Sequence, residues 1–176
     1  MTFRPTAIHG VLVAESLPHE DERGSFERLF CTREFDAHGI DLRVAQSNLS
    51  RNRRAGTLRG LHYQAGPEPE VKLVRCLTGK IFDVAVDLRP TSPTRTHWVG
   101  EELTGDDHQT LVVPAGCAHG FITLVDNSDV LYLMGAHYNP ALSRGVRWND
   151  PAFSIAWPTR PACLSSRDTA YPDYVP

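Results

Sequence analysis

The stretch Val71-Lys72-Leu73-Val74-Arg75-Cys76-Leu77-Thr78-Gly79-Lys80-Ile81-Phe82-Asp83-Val84-Ala85-Val86-Asp87-Leu88 decides the fold class of this chain. It consists of two apolar runs, 71–77 and 81–88, rich in the branched residues typical of strands. Three residues separate the runs, and Gly79 among them can adopt a positive φ angle. The pattern predicts two β-strands paired as a hairpin.

The rest of the chain repeats this pattern of short apolar runs between turns of Gly, Pro, Asn and Asp. Long runs of helical period are missing. One helix is predicted at 33–38, ended by Gly39, and a helical turn is predicted after Pro140. Further strands are predicted at 10–14, 24–30, 43–50, 57–64, 98–103, 109–113, 120–124 and 130–136. The sequence therefore predicts an all-β barrel or sandwich.

The carboxyl-terminal segment 148–176, WNDPAFSIAWPTRPACLSSRDTAYPDYVP, is dense in Pro, Asp and Ser. We expect it to be irregular and to wrap the core as an ordered tail. A length of 176 residues is typical of one domain, so residues 1–176 are expected to form a single unit.

Composition limits the partners and the compartment. The net charge of -3 and the charged content of 22% lack the basic bias of a nucleic-acid-binding protein, which favours a small-molecule partner. The amino terminus has no apolar signal segment, and no stretch is long enough to cross a membrane, so we expect a cytoplasmic protein. The four cysteines form no C-x-x-C pair and are expected to be reduced thiols.

The segment 57–64, Thr-Leu-Arg-Gly-Leu-His-Tyr-Gln, carries the first candidate site residues. Strand alternation places His62 and Gln64 on one face and Arg59 and Leu61 on the other. A histidine in a strand is either functional or a hydrogen-bonded structural residue. Lys72, at the start of an apolar strand, is either an exposed strand-end charge or an inward ammonium retained for function, because burial of a charge is costly.

Two further pairs of polar residues lie on single strand faces. Asp83 and Asp87 share the face opposite the apolar residues of their strand, so they face either solvent or a polar cavity. Tyr132 and Tyr138 would share a face if their strand continued that far. They provide either a proton donor and a stacking surface or aromatic core packing.

The segment 114–120, Pro-Ala-Gly-Cys-Ala-His-Gly, resembles the second conserved motif of the cupins, in which the histidine of metal-binding members is a ligand. The first cupin motif requires H-x-H and a glutamate, and only His62-Tyr63-Gln64 occupies that place. Two expected ligands are therefore missing, which argues against a metal-dependent cupin oxygenase and predicts no bound metal.

Taken together, the motifs resemble one family, the dTDP-4-dehydrorhamnose 3,5-epimerases. The resemblance implies a cupin jelly roll that forms a homodimer, with each subunit lending residues to the site of the other. The matching segments are 21–26 (DERGSF), 46–50 (QSNLS), 56–64 (GTLRGLHYQ), 72–75 (KLVR), 83–89 (DVAVDLR), 92–94 (SPT), 114–121 (PAGCAHGF), 148–151 (WNDP), 157–158 (WP) and 165–168 (SSRD).

The same resemblance implies residue roles. His62 is the general base, Asp168 holds its imidazole, Lys72 stabilises the enolate oxygen, and Tyr132 returns a proton to the opposite sugar face. Carbons 3 and 5 of a 4-keto sugar both flank the carbonyl, so deprotonation at either gives an enolate that a fixed cation stabilises. The ketone is itself the electron sink, and no cofactor is expected.

Nucleotide and sugar contacts are also implied by the resemblance. Arg23 and Arg59 are the expected diphosphate ligands, since a guanidinium fork fits phosphate oxygens, and Phe26 is expected to stack on the base. His119 is expected in the sugar pocket as a polar contact. The remaining implied contacts are Gln46, Asn48 and Tyr138.

Arg28 departs from the family pattern, in which a glutamate at this position accepts a hydrogen bond from thymine N3. An arginine can donate to cytosine N3, which suggests a CDP-linked substrate; it can equally contact thymine O4 or a phosphate. Leu133, where many relatives have Lys, points away from Tyr132 by strand alternation.

Two alternative functions stay open. Some related enzymes invert carbon 3 alone, and a cupin that binds a nucleotide sugar without converting it is a further alternative.

Overall fold

The computed structural model describes residues 1–66 and 70–175. Within these residues the chain forms thirteen strands and two short helices. In chain order they are β1 (Thr2–Pro5), β2 (Leu12–Glu15), β3 (His19–Asp21), β4 (Gly24–Phe26), α1 (Thr32–Asp36), β5 (Gln46–Asn52), β6 (Leu58–Gln64), β7 (Lys72–Thr78), β8 (Lys80–Asp87), β9 (Trp98–Thr104), β10 (Gln109–Val113), β11 (Cys117–Thr123), β12 (Ser128–Met134), β13 (Ser143–Gly145) and α2 (Ser166–Thr169).

Two antiparallel sheets pack face to face. The larger sheet has the strand order β1-β2-β10-β7-β12-β5, and the smaller has the order β13-β6-β11-β8-β9. Strands β3 and β4 form a separate ribbon. This is the predicted all-β sandwich, and the core between its sheets consists of Ile8, Val11, Val13, Val74, Cys76, Ile81, Ala85, Leu103, Leu111, Val113, Cys117, Phe121 and Val130.

The predicted hairpin between β7 and β8 is wrong, although both strands are present. β7 pairs with β10 and β12, whereas β8 pairs with β9 and β11. Gly79, with φ at 77°, turns the chain from one sheet into the other. Val74 and Ile81 consequently meet across the core instead of side by side. A short glycine turn between two apolar runs fits either geometry, and burial of both inner faces decides between them.

Most of the other predicted strands are confirmed with shifts of a few residues at their ends. The prediction for 24–30 is too long, because β4 ends at Phe26. The helix at 33–38 is confirmed as α1, and Gly39 has a φ of 76°. Residues 140–142 form a turn, as predicted. The short elements β1, β3, β13 and α2 were not predicted.

Each sheet is covered on its outer face by a different part of the chain. Helix α1 places Phe35 against Leu73 and Val112 of the larger sheet. The carboxyl-terminal segment packs Phe153 and Trp157 against the outer face of the smaller sheet. This segment also contains α2, where the sequence predicted irregular structure; Pro176 lies outside the described residues.

The four cysteines, Cys31, Cys76, Cys117 and Cys163, are free thiols. No helix in the described part of the chain is long and apolar enough to span a membrane.

Candidate active site

A cavity of about 660 Å³ opens between the two sheets. Residues from both sheets and from the carboxyl-terminal segment line it. Eight of the twelve site residues expected from the sequence are among them: Asn48, Arg59, His62, Lys72, His119, Tyr132, Tyr138 and Asp168.

His62 and Asp168 form a hydrogen-bonded pair at the cavity wall. His62 Nε2 lies 2.6 Å from Asp168 Oδ1. The imidazole is 38% exposed, so it is open to a ligand, while the carboxylate is 5% exposed. Because a carboxylate only accepts, Nε2 carries the hydrogen and Nδ1 is left with the lone pair of a base.

The carboxyl-terminal segment brings Asp168 to this position through backbone contacts with β6. Thr57 and Cys163 form a parallel bridge, and Leu58 N donates to Cys163 O at 2.9 Å. Ser165 then caps α2 by accepting from Asp168 N at 3.0 Å. These contacts fix where the tail crosses the cavity, and so they fix the Asp168 carboxylate.

Burial by itself raises the pKa of Asp168, but hydrogen bonds from His62 and from Gly60 N outweigh it. The pKa of this carboxyl is therefore lowered below its usual value. The carboxylate therefore stays ionised where it accepts the hydrogen bond from His62.

Lys72 points into the cavity, so the alternative of an exposed strand-end charge is excluded. Its side chain is 7% exposed, and Nζ donates to His62 O at 2.9 Å. Nζ also lies 3.0 Å from Glu70 Oε2. Burial lowers the pKa of Lys72, and the Glu70 carboxylate partly offsets this effect.

Tyr132 lies on the larger sheet, on the same face as Lys72, since Tyr132 is opposite Val74 and Met134 is opposite Lys72. Burial raises the pKa of the Tyr132 phenol well above its usual value, and the nearby Asp83 adds to the shift. Tyr132 is therefore a neutral proton donor at ordinary pH.

His119 packs edge-on against Tyr132, with ring centroids 5.7 Å apart. Its Nε2 lies 2.6 Å from Asp83 Oδ1, and both side chains are buried. Asp83 thus faces a polar interior and not solvent, which were the two alternatives that the sequence left open for it. Burial raises the pKa of Asp83, with His119 opposing this effect. Asp87, by contrast, is a structural residue that accepts hydrogen bonds from Arg89, Ser92 and Thr94.

The placement of Arg59 on the face opposite His62 is wrong, since both side chains line the cavity. The register of β6 against β11 slips between His119 and Phe121, which breaks the alternation. Gly60 has a φ of 140°, and a Cβ there would lie 2.5 Å from Gly120 Cα. Two facing glycines therefore permit the close approach that turns Arg59 toward the cavity.

The remaining expected residues lie outside the cavity lining. Gln46 Oε1 accepts a hydrogen bond from Tyr138 N at the cavity edge. Arg23 and Phe26 lie on the β3–β4 ribbon, where the Arg23 side chain is 85% exposed and Phe26 is 78% exposed. Arg28 Nη1 donates to Glu34 Oε1 at 2.9 Å. No residue on this ribbon contributes to the described cavity of its own chain.

The sequence analysis missed one residue of the cavity lining and gave no role to a buried residue behind it. Glu70 lines the cavity beside Lys72, and its separation of two residues from that lysine was the available signal. Asp83 was placed on the correct strand face, but its contact with His119 joins different strands and has no local signature.

The arrangement suits proton transfer on two faces of a ligand. His62 belongs to the smaller sheet, while Lys72 and Tyr132 belong to the larger one. An imidazole and a neutral phenol therefore approach the cavity from different sheets, with an ammonium beside them. In residues 1–66 and 70–175 no group of three or more metal-ligating side chains is present.

Comparison with known proteins gives a consistent result. The family model described as dTDP-4-dehydrorhamnose 3,5-epimerase matches residues 5–175. A protein of that name from Shigella flexneri is 41% identical over 169 residues, covering 96% of this chain and 93% of its own.

Solved structures agree in fold along nearly the whole chain. A Bacillus anthracis dTDP-4-dehydrorhamnose 3,5-epimerase with TDP and PPi bound has a TM-score of 0.94 and 36% identity, covering 98% of this chain and 99% of its own. A 3'-monoepimerase from Streptomyces bikiniensis in complex with dTDP-quinovose has a TM-score of 0.89 and 34% identity, covering 97% of this chain and 86% of its own.

Proposed function

The chain belongs to the dTDP-4-dehydrorhamnose 3,5-epimerase family, and we propose on this basis that His62, Asp168, Lys72 and Tyr132 carry out its isomerase reaction. The protein is an epimerase of nucleotide-linked 4-keto-6-deoxy sugars. Its reaction is the conversion of dTDP-4-dehydro-6-deoxy-D-glucose to dTDP-4-dehydro-L-rhamnose, with inversion at carbons 3 and 5.

The first step is removal of a proton from the carbon beside the ketone. His62 Nδ1 accepts the proton, because Nε2 is engaged by Asp168 at 2.6 Å. Histidine is the side chain most often used as a general base in enzymes. The electron pair moves onto the C4 oxygen, where the Lys72 ammonium stabilises the negative charge.

The second step is protonation of the enolate from the other side. A proton returned by His62 would regenerate the starting sugar, so inversion requires a second donor. Tyr132 is a partly buried, neutral phenol on the sheet opposite His62. This placement of base and acid on different sheets of one cavity is the observation that carries the assignment of roles.

We further propose that the protein acts as a homodimer in which the β3–β4 ribbon enters the partner's cavity. Arg23 and Phe26 are exposed and lie outside the cavity of their own chain. An arginine and an aromatic ring suit a diphosphate and a base respectively. Arg59, Asn48, Gln46, His119 and Tyr138 would hold the nucleotide sugar from the chain that supplies His62.

Two features bear on the details of this function. The similarity to a 3'-monoepimerase favours inversion of carbon 3 alone as the second candidate. Arg28 bears on the nucleotide: its Nη1 donates to Glu34 Oε1 at 2.9 Å within its own chain, and we propose that the protein uses dTDP sugars, as the names of its relatives indicate. Calorimetry then gives tight binding of dTDP and weak binding of CDP, and the reverse order would overturn the assignment.

The deciding experiment is solvent isotope incorporation. The 4-keto-6-deoxyglucose form of dTDP is generated in deuterium oxide, the protein is added, and mass and proton spectra are followed beside a His62→Asn variant. Two deuteriums, at carbons 3 and 5, and their loss in the variant support the 3,5-epimerase. One deuterium at carbon 3 supports the monoepimerase. No incorporation with the dTDP or the CDP sugar supports a binding protein instead.

A further inference from the structure

Lys72 and Lys80 are the only two lysines in the sequence, and they occupy contrasting environments. The Lys72 side chain is 7% exposed and pairs with Glu70, which is 8% exposed. The Lys80 side chain is 38% exposed and pairs with Glu102, which is 52% exposed. The protein thus contains one buried and one solvent-exposed Lys–Glu pair, which provides an internal comparison.

In the described part of the chain, one negatively charged group lies beside the Lys72 ammonium. From β6, His62 contributes its backbone oxygen, 2.9 Å from Nζ. From β10 and β12, the residues opposite Lys72 are Val113 and Met134, which do not titrate. From β11, Cys117 is a neutral thiol, because burial raises its pKa to about 12. Glu70 is the remaining partner, 3.0 Å away.

Geometry also limits what the ammonium can do. It carries three hydrogens, and two are directed to Glu70 and to His62 O. Among residues 1–66 and 70–175, this leaves one hydrogen for a ligand in the cavity. Because Glu70 and His62 O hold Nζ from two sides, the direction of the third hydrogen is fixed.

We propose that Glu70 is a positioning residue that keeps Lys72 protonated and directs its free hydrogen toward the substrate's C4 oxygen. This inference rests on the role proposed above for Lys72. An uncharged lysine would lose its effect on the enolate, since only the cation stabilises a developing negative charge. Without Glu70, the largest effect that opposes burial is lost, and the ammonium releases its proton at lower pH.

Lysine labelled with ¹³C at Cε tests the charge of Lys72 directly, since the whole protein gives two side-chain signals that can be titrated separately. Glu70→Gln keeps the shape of the side chain and removes its charge. We expect the pKa of Lys72 to fall by about one unit or more, as for loss of an adjacent opposite charge, while the Lys80 signal is unchanged. Glu102→Gln is the matched control and should leave Lys72 unaffected. An unchanged Lys72 titration in Glu70→Gln would overturn the proposal.

The pH dependence of kcat/KM tests the link to the reaction. In Glu70→Gln the alkaline limb should move to lower pH by the same amount as the Lys72 titration, with the acidic limb in place. Glu70→Asp restores the charge and should return the alkaline limb toward that of the unmodified protein, which separates loss of charge from loss of folding. A shift seen by NMR but absent from the rate profile would contradict the positioning role.

The two proposals fail in different ways. If the unmodified protein incorporates no deuterium, the function proposed above fails while the lysine titration still reports on Glu70. If deuterium is incorporated but Glu70→Gln changes neither the Lys72 titration nor the alkaline limb of kcat/KM, only the present inference fails.

Discussion

The Asp168 carboxylate lies 2.6 Å from the His62 imidazole, although 106 positions separate the two residues in the sequence. The carboxylate also accepts from Gly60 N, at 3.4 Å, on the strand that carries His62. The carboxyl-terminal segment is therefore a part of the site and not only a cover for the smaller sheet.

Replacement of Asp168 by Asn tests this contact. The amide cannot stabilise an imidazolium and can impose the wrong tautomer on His62, so we expect kcat to fall about 100-fold or more. Steady-state kinetics checks the prediction. Asp173→Asn is the control, since it removes another carboxylate of the same segment, one that pairs with Arg147 at the surface. A decrease in kcat of less than twofold in Asp168→Asn would contradict the proposed role.

Replacement of Tyr132 by Phe should separate exchange from inversion. His62 can still remove a proton and return a deuteron to the same face, so the starting sugar should acquire deuterium while epimerised product decreases about 100-fold or more. Mass spectrometry and proton spectra distinguish the two species. Tyr174→Phe serves as the control because that tyrosine packs against Phe153, with ring centroids 5.1 Å apart, outside the cavity lining. Equal loss of exchange and inversion would argue against Tyr132 as the acid.

Mixtures of two inactive variants test the exchange of the β3–β4 ribbon between subunits. One chain carries His62→Asn, and the other carries Arg23→Ala and Phe26→Ala. In a mixed dimer, the intact His62 of the second chain meets the intact ribbon of the first, so one competent site forms. We expect mixing with subunit exchange to restore activity. If both variants are inactive alone and remain so in a verified mixed dimer, the ribbon serves its own chain.

Gly60→Ala should damage both the fold and the site. The new Cβ would lie 2.5 Å from Gly120 Cα, at a φ of 140°. The combined cost of overpacking and backbone strain is about 3 kcal/mol or more. Gly39→Ala is a matched control, since its φ is 76° but its Cβ meets nothing within 4 Å. For Gly39→Ala, urea unfolding should show a loss of about 1–2 kcal/mol in the free energy of unfolding. Equal losses at the two positions would show that the contact with Gly120 is unimportant.

Asp87→Asn should lower stability in a pH-dependent way. Burial raises the pKa of Asp87, but hydrogen bonds from Arg89, Ser92 and Thr94 lower it strongly overall. A lowered pKa stabilises the fold above the unfolded-state value of about 4, and the contribution is lost as pH falls toward the folded-state value. We therefore expect a difference of about 3 kcal/mol in the free energy of unfolding at pH 7, which shrinks below about pH 4.

Denaturant unfolding from pH 3 to pH 7 at one protein concentration measures this difference. Asp36→Asn is the control, because it removes an exposed partner of Arg43 and should cost at most about 1 kcal/mol. A difference between Asp87→Asn and the unmodified protein that stays constant across this range would refute the linkage.

Residue pattern alone identified most of the longer strands and several of the chemistry-bearing side chains. Strands such as β8 and β10 are evident because branched apolar residues recur over short runs bounded by turns. His62 and Lys72 stand out as polar groups within such strands, and the motifs around them point to one enzyme family. These patterns are local, since each is contained in a short segment of neighbouring residues.

Only the tertiary structure decided which of these elements meet. The glycine turn at Gly79 is compatible with a hairpin or with a crossing between sheets, and the choice depends on burial of both inner faces. Arg59 reaches the cavity because two glycines on different strands allow a slip in register. Asp168 and Glu70 join the cavity through contacts with His62 and Lys72. Such contacts arise from packing of the whole chain, since the backbone pattern around a residue does not specify its distant partner.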